Sequence, residues 1–505
     1  MVGRGANWVA LGVALGLVLL AAASGALGAT ARVSVSSSGA QADGHSLAPA
    51  LSADGRYVAF YSDASNLVDG DTNSVRDVFV RDRGTSTTTR VSVDSMGAQG
   101  NGHSFAPAIS NDGRLVAFSS NASNLAAGDT NNADDIFVHD SQSGATARVS
   151  VATAGIEANG GSFSPALSAD GRFVAFLSDA SNLVAGDTNG FRDVFVHDRQ
   201  TGSTTRVSVD SAGVQADVGS FSVAINADGR FVAFHSFADN LVPDDVNETS
   251  DVFVHDLLTG ETTRVSVYDG GAETDGDSLR PAISADGRYV AFDSDSTILV
   301  WGDVNFVFDV FVHDRMTNTT RRVSVDDSGG EATGISQRPS ISADGRYVAF
   351  YSEASDLVAG DSNGSSDIFV HDRQSGATSR VSVDNGGDQG NADSLRPAIS
   401  ADGSVVAFDS SASNLAAGDS NRFSDVFVRD QTAVPPVTPQ CVVPRVIGLR
   451  LATARTRIKR GRCRVGRVRR ARARARRVGR VLSQSPKAGS RRAQGAKVNL
   501  VVGRR

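Results

Sequence analysis

The sequence predicts an all-β fold, a closed seven-bladed β-propeller followed by a small α+β module, and three observations predict it. Asp-Gly recurs at Asp54, Asp112, Asp170, Asp228, Asp286, Asp344 and Asp402, a constant spacing of 58 residues. Asp-(Val/Ile)-Phe-Val begins at Asp77, Asp135, Asp193, Asp251, Asp309, Asp367 and Asp425, and Arg-Val-Ser-Val at Arg32, Arg90, Arg148, Arg206, Arg264, Arg322 and Arg380, with the same period. A fixed period of this length means an array of one supersecondary unit. Finally, Cys441–Arg505 holds 22 Lys/Arg and no Asp/Glu, so the formal −7 of the whole chain leaves −29 on residues 1–440. An acidic body and a basic tail are separate units with different partners.

Each repeat offers four strand-like segments, first as Tyr57–Ser62, Asp77–Arg81, Thr88–Val93 and Phe105–Ser110. Val, Phe, Thr and Tyr dominate them and turn residues bound them. Runs such as Tyr-Val-Ala-Phe are apolar at successive positions, so both sheet faces need cover. Four-stranded sheets stacked around an axis supply it, and seven lies within the usual range of blades. Asp54-Gly55 suits a tight hairpin between the innermost strand and the next. The longer connections, Asp63–Arg76 and Asp94–Ser104, alternate with tight ones and are expected on one face. The seventh unit lacks its Arg-Val-Ser-Val, whereas Thr30–Val35 supplies one before the first unit. The first strand is therefore expected to complete the last blade, removing a free sheet edge.

Ser-Ala-Asp-Gly-Arg-Tyr-Val-Ala-Phe followed by Asp-Val-Phe-Val resembles the WD-like propeller repeat of the TolB family, over about residues 30–430. The resemblance implies the propeller fold. The chain departs from that family's pattern by its longer unit and by Ala or Asn where Pro is usual.

Residues 1–28 have the makings of a signal peptide: Arg4, an apolar Val9–Ala23, and small residues at Ala26-Leu-Gly28. The other reading is an uncleaved anchor, for which the apolar run is short. An extracytoplasmic location follows, secreted, periplasmic or wall-associated, where a disulfide persists. The two cysteines, Cys441 and Cys463, are the candidate pair.

Candidate chemistry lies on the long-loop face. Gly-Asp-x-Asn-x-x-x-Asp places Asp71/Asn73/Asp77, Asp129/Asn131/Asp135, Asp187/Asn189/Asp193, Asp303/Asn305/Asp309, Asp361/Asn363/Asp367 and Asp419/Asn421/Asp425 in equivalent loops. The fourth unit varies this to Asp245/Asn247/Asp251. Alternating side-chain oxygens suit a hard cation, with calcium the candidate. The competing reading is that Asp and Asn form turns through their own side chains. His139, His197, His255, His313 and His371 share a position that holds Arg81 and Arg429 in two units. Arg cannot ligate a metal, so these histidines are expected to be polar strand ends paired with the adjacent Asp. The serines of Arg-Val-Ser-Val, such as Ser34, have no base at a fixed offset.

Symmetry breaks in few places: His45 and His103 against Asp277, the fourth unit's His235, Phe237 and Pro243-Asp-Asp, and Trp301. Trp301 is a candidate ligand anchor or a loop-packing residue. No paired-acid, Ser/His/Asp or zinc signature emerges, so catalytic residues are expected to be none. The alternatives to a binding protein are a propeller hydrolase or lyase acting on envelope polymers and a calcium-stabilised structural surface protein. An enzyme would concentrate asymmetry and acid in one long-loop sector.

Residues 431–440, with Pro435, Pro436 and Pro439, form a stiff linker. Residues 441–505 follow, with Val443-Pro-Arg-Val-Ile-Gly448, a helix-competent Leu449–Gly461, Gln484-Ser-Pro-Lys-Ala-Gly489 and Val498–Val502. This order resembles the PASTA domain, a β-α-β-β module whose family implies association with peptidoglycan. An Arg-rich insert, Arg467–Arg480, is expected as an elongated loop. It suits anionic envelope polymers or remains a solvated charge run. Nucleic acid is not expected, because aromatics are not interleaved with the arginines. The propeller partner would be a protein or glycan on the loop face.

Overall fold

The computed structural model describes residues 28–431, 440–460, 463–487, 491–493 and 496–504. The proposed signal segment up to residue 27, and linker residues 432–439, lie outside the described residues. Among the described residues, no helix is long and apolar enough to cross a membrane.

Seven four-stranded antiparallel sheets account for residues 30–430. The first sheet runs, from the inside outward, through Ser46–Leu51, Tyr57–Ser62, Asp77–Asp82 and Thr87–Arg90. The Phe105 segment expected with it instead opens the second sheet, as Ser104–Ile109 paired with Leu115–Ser120. Outer strands are also shorter than expected. The first ends at Arg90 rather than Val93, because Ser92 turns inward and donates to the buried Asp77. The seventh sheet is completed by Thr30–Arg32, in register with Phe427–Arg429, as the missing copy required.

Consecutive apolar positions are buried on both faces because the cores lie between sheets. One cluster joins Ala59, Val78 and Val91 of the first sheet to Val116, Phe118 and Phe137 of the second. Another joins Val58, Phe60 and Phe79 to Val405, Ala407 and Val428 of the seventh, closing the circle. Within each sheet the Phe of the second strand stacks on that of the third at 5.8–6.0 Å, from Phe60–Phe79 to Phe408–Phe427. Full burial of one such ring stabilises the fold by about 1.5–3 kcal/mol.

The Asp-Gly turn joins neighbouring sheets as well as neighbouring strands. Gly113 has φ +77°, and a Cβ there would lie 2.1 Å from the Tyr57 ring of the preceding sheet. Both the turn and the inter-sheet contact therefore require glycine. The residue before each Asp donates its amide to the equivalent carbonyl one sheet on: Ala53 to Asn111, Asn111 to Ala169, and so around to Ala401 to Ala53, at 2.9–3.2 Å. Proline has no amide hydrogen, which explains Ala or Asn at this position.

The C-terminal region has a helix, Leu451–Arg460, and a three-stranded sheet ordered Arg464–Arg472, Lys497–Arg504, Val481–Ser485. The first two strands are parallel and the last two antiparallel. Val443, Val446, Ala454, Ile458, Val481, Val498, Leu500 and Val502 form its core. The Arg-rich insert is not an extended loop. Arg467–Arg472 lies within a strand, where Val465, Val468 and Ala471 are shielded between exposed arginines. Cys463 is buried and disulfide-bonded. The side chain of Cys441 lies outside the described residues.

Candidate functional site

The two long connections meet on one face, where Asn73 Nδ2 donates to Gly100 O at 2.9 Å. The paired acids of the loop motif converge there too. Arg90, from the outer strand, places Nη1 3.1 Å from Asp71 and 3.3 Å from Asp77. Equivalent arginines join Asp129/Asp135, Asp187/Asp193, Asp245/Asp251, Asp303/Asp309, Asp361/Asp367 and Asp419/Asp425. Each loop thus holds a guanidinium between the carboxylates that the sequence offered to a cation.

The asparagines play a different part. Asn73, Asn131, Asn189, Asn247, Asn305, Asn363 and Asn421 each donate Nδ2 to the following motif Asp at 2.8–3.3 Å. Their oxygens accept loop amides two residues on, as for Asn73 with Val75 at 3.2 Å. They shape the turn.

Three sheets add a third carboxylate that the loop motif did not reveal. Glu157 joins Asp129 and Asp135, Glu273 joins Asp245 and Asp251, and Glu331 joins Asp303 and Asp309, with ligand atoms within 4.8 Å of one another. Gln215 and Gln389 hold this place in two other sheets, 2.8 and 2.7 Å from Arg206 and Arg380. The available signal was the acid nine residues after the motif arginine. Burial pushes Asp303 up to about 7, with Asp309 adding to the shift and Arg322 opposing it. Asp245 is likewise pushed to about 7, and Asp135 to about 6, by burial first. These three sets have the chemistry of hard-cation sites, with a tethered cation in each.

The repeated histidines meet threonine rather than the adjacent Asp. His139, His197, His255, His313 and His371 place Nδ1 2.8–3.0 Å from Thr146, Thr204, Thr262, Thr320 and Thr378. Each threonine donates its single hydroxyl hydrogen to a valine carbonyl of the preceding repeat, as Thr262 does to Val209 at 2.5 Å. It must therefore accept from Nδ1–H. Arg81 and Arg429 donate to Thr88 and Thr30 in the same way, at 3.0 and 2.7 Å. Donor capacity explains why His and Arg replace one another. The adjacent Asp is engaged elsewhere: Arg114 holds Asp140 through two bonds of 2.8 and 2.7 Å.

Other candidates are also accounted for. Ser34 donates to Asp425 at 2.5 Å, and its repeats do likewise, as Ser208 does to Asp193 at 2.6 Å. His103 Nδ1 accepts the Arg76 amide at 3.1 Å, and Asp277 accepts the Ser250 amide at 2.9 Å, so both serve as acceptors. Trp301 is fully exposed beside Ile298, Val304 and Phe306. It borders a cleft of about 1020 Å³ that includes Tyr268, Asp269 and Arg321. Exposure replaces the loop-packing alternative for this residue.

The C-terminal sheet carries an open groove of about 690 Å³ lined by Arg467, Arg469, Lys497, Asn499, Ser483 and Ser485 among others. Alternation along the strands sends these polar residues to one side and the Val/Leu core to the other. The result is a cationic, donor-rich surface on a rigid sheet.

Residues 442–504 match the PASTA domain, as the motif order implied. No curated protein sequence matches the chain. Among solved structures, an oligogalacturonate lyase in complex with manganese is 12% identical, with a TM-score of 0.49, over 80% of this chain and 93% of that one. TolB from Acinetobacter baumannii is 14% identical, with a TM-score of 0.36, over 66% of this chain and 62% of its own. The β-propeller domain of the Trilobed protease from Pyrococcus furiosus is 12% identical, with a TM-score of 0.47, over 77% and 95%. The chain is thus a seven-sheet β-propeller with TolB and other propeller proteins among its structural neighbours, followed by a PASTA region.

Proposed function

We propose that the protein is an extracytoplasmic binding protein whose propeller, residues 29–430, receives a protein or glycan partner while the PASTA module, residues 441–505, associates with the cell wall. The cationic groove across the PASTA sheet carries this reading. Peptidoglycan and attached envelope polymers present carboxylates and phosphates, which Arg467, Arg469 and Lys497 complement. The exposed Trp301 cleft supports partner capture by the propeller face, since an aromatic ring offers contact area at low entropic cost. Binding also suits the engagement of the motif serines and histidines in structural hydrogen bonds.

Co-sedimentation with purified peptidoglycan sacculi tests the proposal, comparing residues 29–505 with residues 29–440 at low and high salt. Tail-dependent pelleting that survives salt supports specific wall recognition. Pelleting abolished by salt reduces the arginines to a polyelectrolyte. If neither chain pellets, wall association is wrong.

A further inference from the structure

The sevenfold pattern breaks most sharply on the innermost strands, which line the propeller axis. The third residue of each such strand sits at a bulge with positive φ: Ala48, Ala106, Ser164, Ser222, Arg280, Arg338 and Arg396, at 43–53°. Four sheets keep a small side chain there. The fifth, sixth and seventh place three arginines in succession. On the second strand, Asp293 and Asp409 stand where four other sheets have Tyr61, Ser119, Leu177 and His235, and the sixth sheet keeps a tyrosine, Tyr351.

Two of the arginines are paired. Arg280 Nη1 lies 2.6 Å from Asp293 Oδ2, and Arg396 Nη1 lies 2.9 Å from Asp409 Oδ2. Each Asp uses its other oxygen to accept an amide of the following sheet, Arg338 N at 3.3 Å and Ala48 N at 3.2 Å. The middle sheet lacks this carboxylate. Tyr351 stands there and donates to Gln337 Oε1 at 2.5 Å. Among the described residues, no ion pair or hydrogen bond engages the Arg338 guanidinium, and the residue as a whole is exposed. Partial burial of the guanidinium lowers its pKa first, and the charges of Arg280 and Arg396 lower it further. Three cations against two carboxylates leave one unmatched, at a backbone position strained for any side chain with a Cβ.

We propose that Arg338, flanked by Arg280 and Arg396, binds an oxyanion, a carboxylate or phosphate group of a ligand entering the propeller axis. A planar guanidinium accepts such a group through two parallel hydrogen bonds. The neighbouring arginines add field without needing to leave their carboxylates. This site is independent of wall association by the tail.

Isothermal titration of the full chain with inorganic phosphate and with malonate, at constant ionic strength, tests the assignment. The comparison is with Arg338→Ala, a residue already present at this bulge in the first two sheets. Binding by the arginine-rich tail is common to both proteins and cancels. Wild type is expected to show a component at least tenfold tighter than Arg338→Ala, with Arg338→Lys intermediate. Preference for phosphate identifies phosphoryl groups, and preference for malonate identifies carboxylates. Between pH 8 and pH 6, where malonate remains largely a dianion, its binding to wild type is expected to tighten. Burial raises Asp293 to about 7 and Asp409 to about 6, so their protonation releases Arg280 and Arg396. His235, facing Arg280, is held near 4 by burial and stays neutral in that range. Superimposable isotherms for wild type and both variants, with unchanged melting temperatures, would overturn the proposal.

Discussion

The amide of Ala401 donates to the carbonyl of Ala53 at 2.9 Å, joining the last turn to the first. Six like bonds precede it, so a belt of backbone hydrogen bonds runs around one end of the propeller independently of side chains. Ala401→Pro removes the donor and leaves the Ala53 carbonyl without this partner. The expected cost is about 1 kcal/mol, read as a lower midpoint in urea with unchanged slope. A midpoint equal to wild type would show that the belt contributes nothing.

The seam is fastened a second time at Arg429, whose Nη1 meets Thr30 Oγ1 at 2.7 Å, Asp384 O at 3.2 Å and Val383 O at 3.3 Å. Truncation to alanine removes all three charge-assisted bonds at once, leaving Val383 O to the Thr30 hydroxyl and Asp384 O to the Gly387 amide. Arg429→Ala is expected to destabilise by about 2–3 kcal/mol. Arg429→His, which copies the other sheets, should recover most of that loss. Differential scanning calorimetry of the three proteins decides.

Arg322 supplies the cation for Asp303, Asp309 and Glu331, at 3.2, 3.2 and 2.5 Å. Arg322→Ala leaves three carboxylates facing one another, and its melting temperature is expected to fall. Millimolar calcium should restore part of the loss, and EDTA should reverse that gain. In wild type the ion would have to displace a buried guanidinium, so the calcium response should be smaller. A variant blind to calcium would show that these loops have no cation-binding capacity.

Burial holds the five repeated imidazoles below the usual histidine range, His313 and His371 near 4. Because the folded value lies below the unfolded 6.5, each contributes stability that is complete above pH 6.5. That stability is lost as pH falls toward 4, where the unfolded chain binds the extra proton. Two-dimensional NMR of ¹⁵N-histidine protein should show neutral Nδ1–H rings at pH 6. Titration of these five with midpoints near 6.5 would contradict the burial that keeps the rings neutral.

The fold was legible because the period exposes every strand seven times, and the missing outer strand announced the seam. Strand grouping was less so: Phe105 follows Thr88 in sequence but crosses to the next sheet, and periodicity has no phase. The loop acids were found from their spacing. Their arginine partner was not, because Arg90 reaches Asp71 only after the outer strand folds back. Glu157, Glu273 and Glu331 were hidden for a related reason, arriving from a different loop and replaced by Gln in other units. The axial arginines are not legible in the sequence, because Arg280, Arg338 and Arg396 look like ordinary strand variation until the fold brings them within electrostatic reach of one another.

Completing the seventh sheet with Thr30–Arg32 also sets an order of assembly. The first strand made is the last to find its place, since its partner, Phe427–Arg429, emerges nearly four hundred residues later. A chain halted before that point has a single unpaired strand at one end and an unfinished sheet at the other. Such a product exposes two sticky edges, which proteases and chaperones recognise. Closure of the ring is therefore open only to chains synthesised through the seventh repeat.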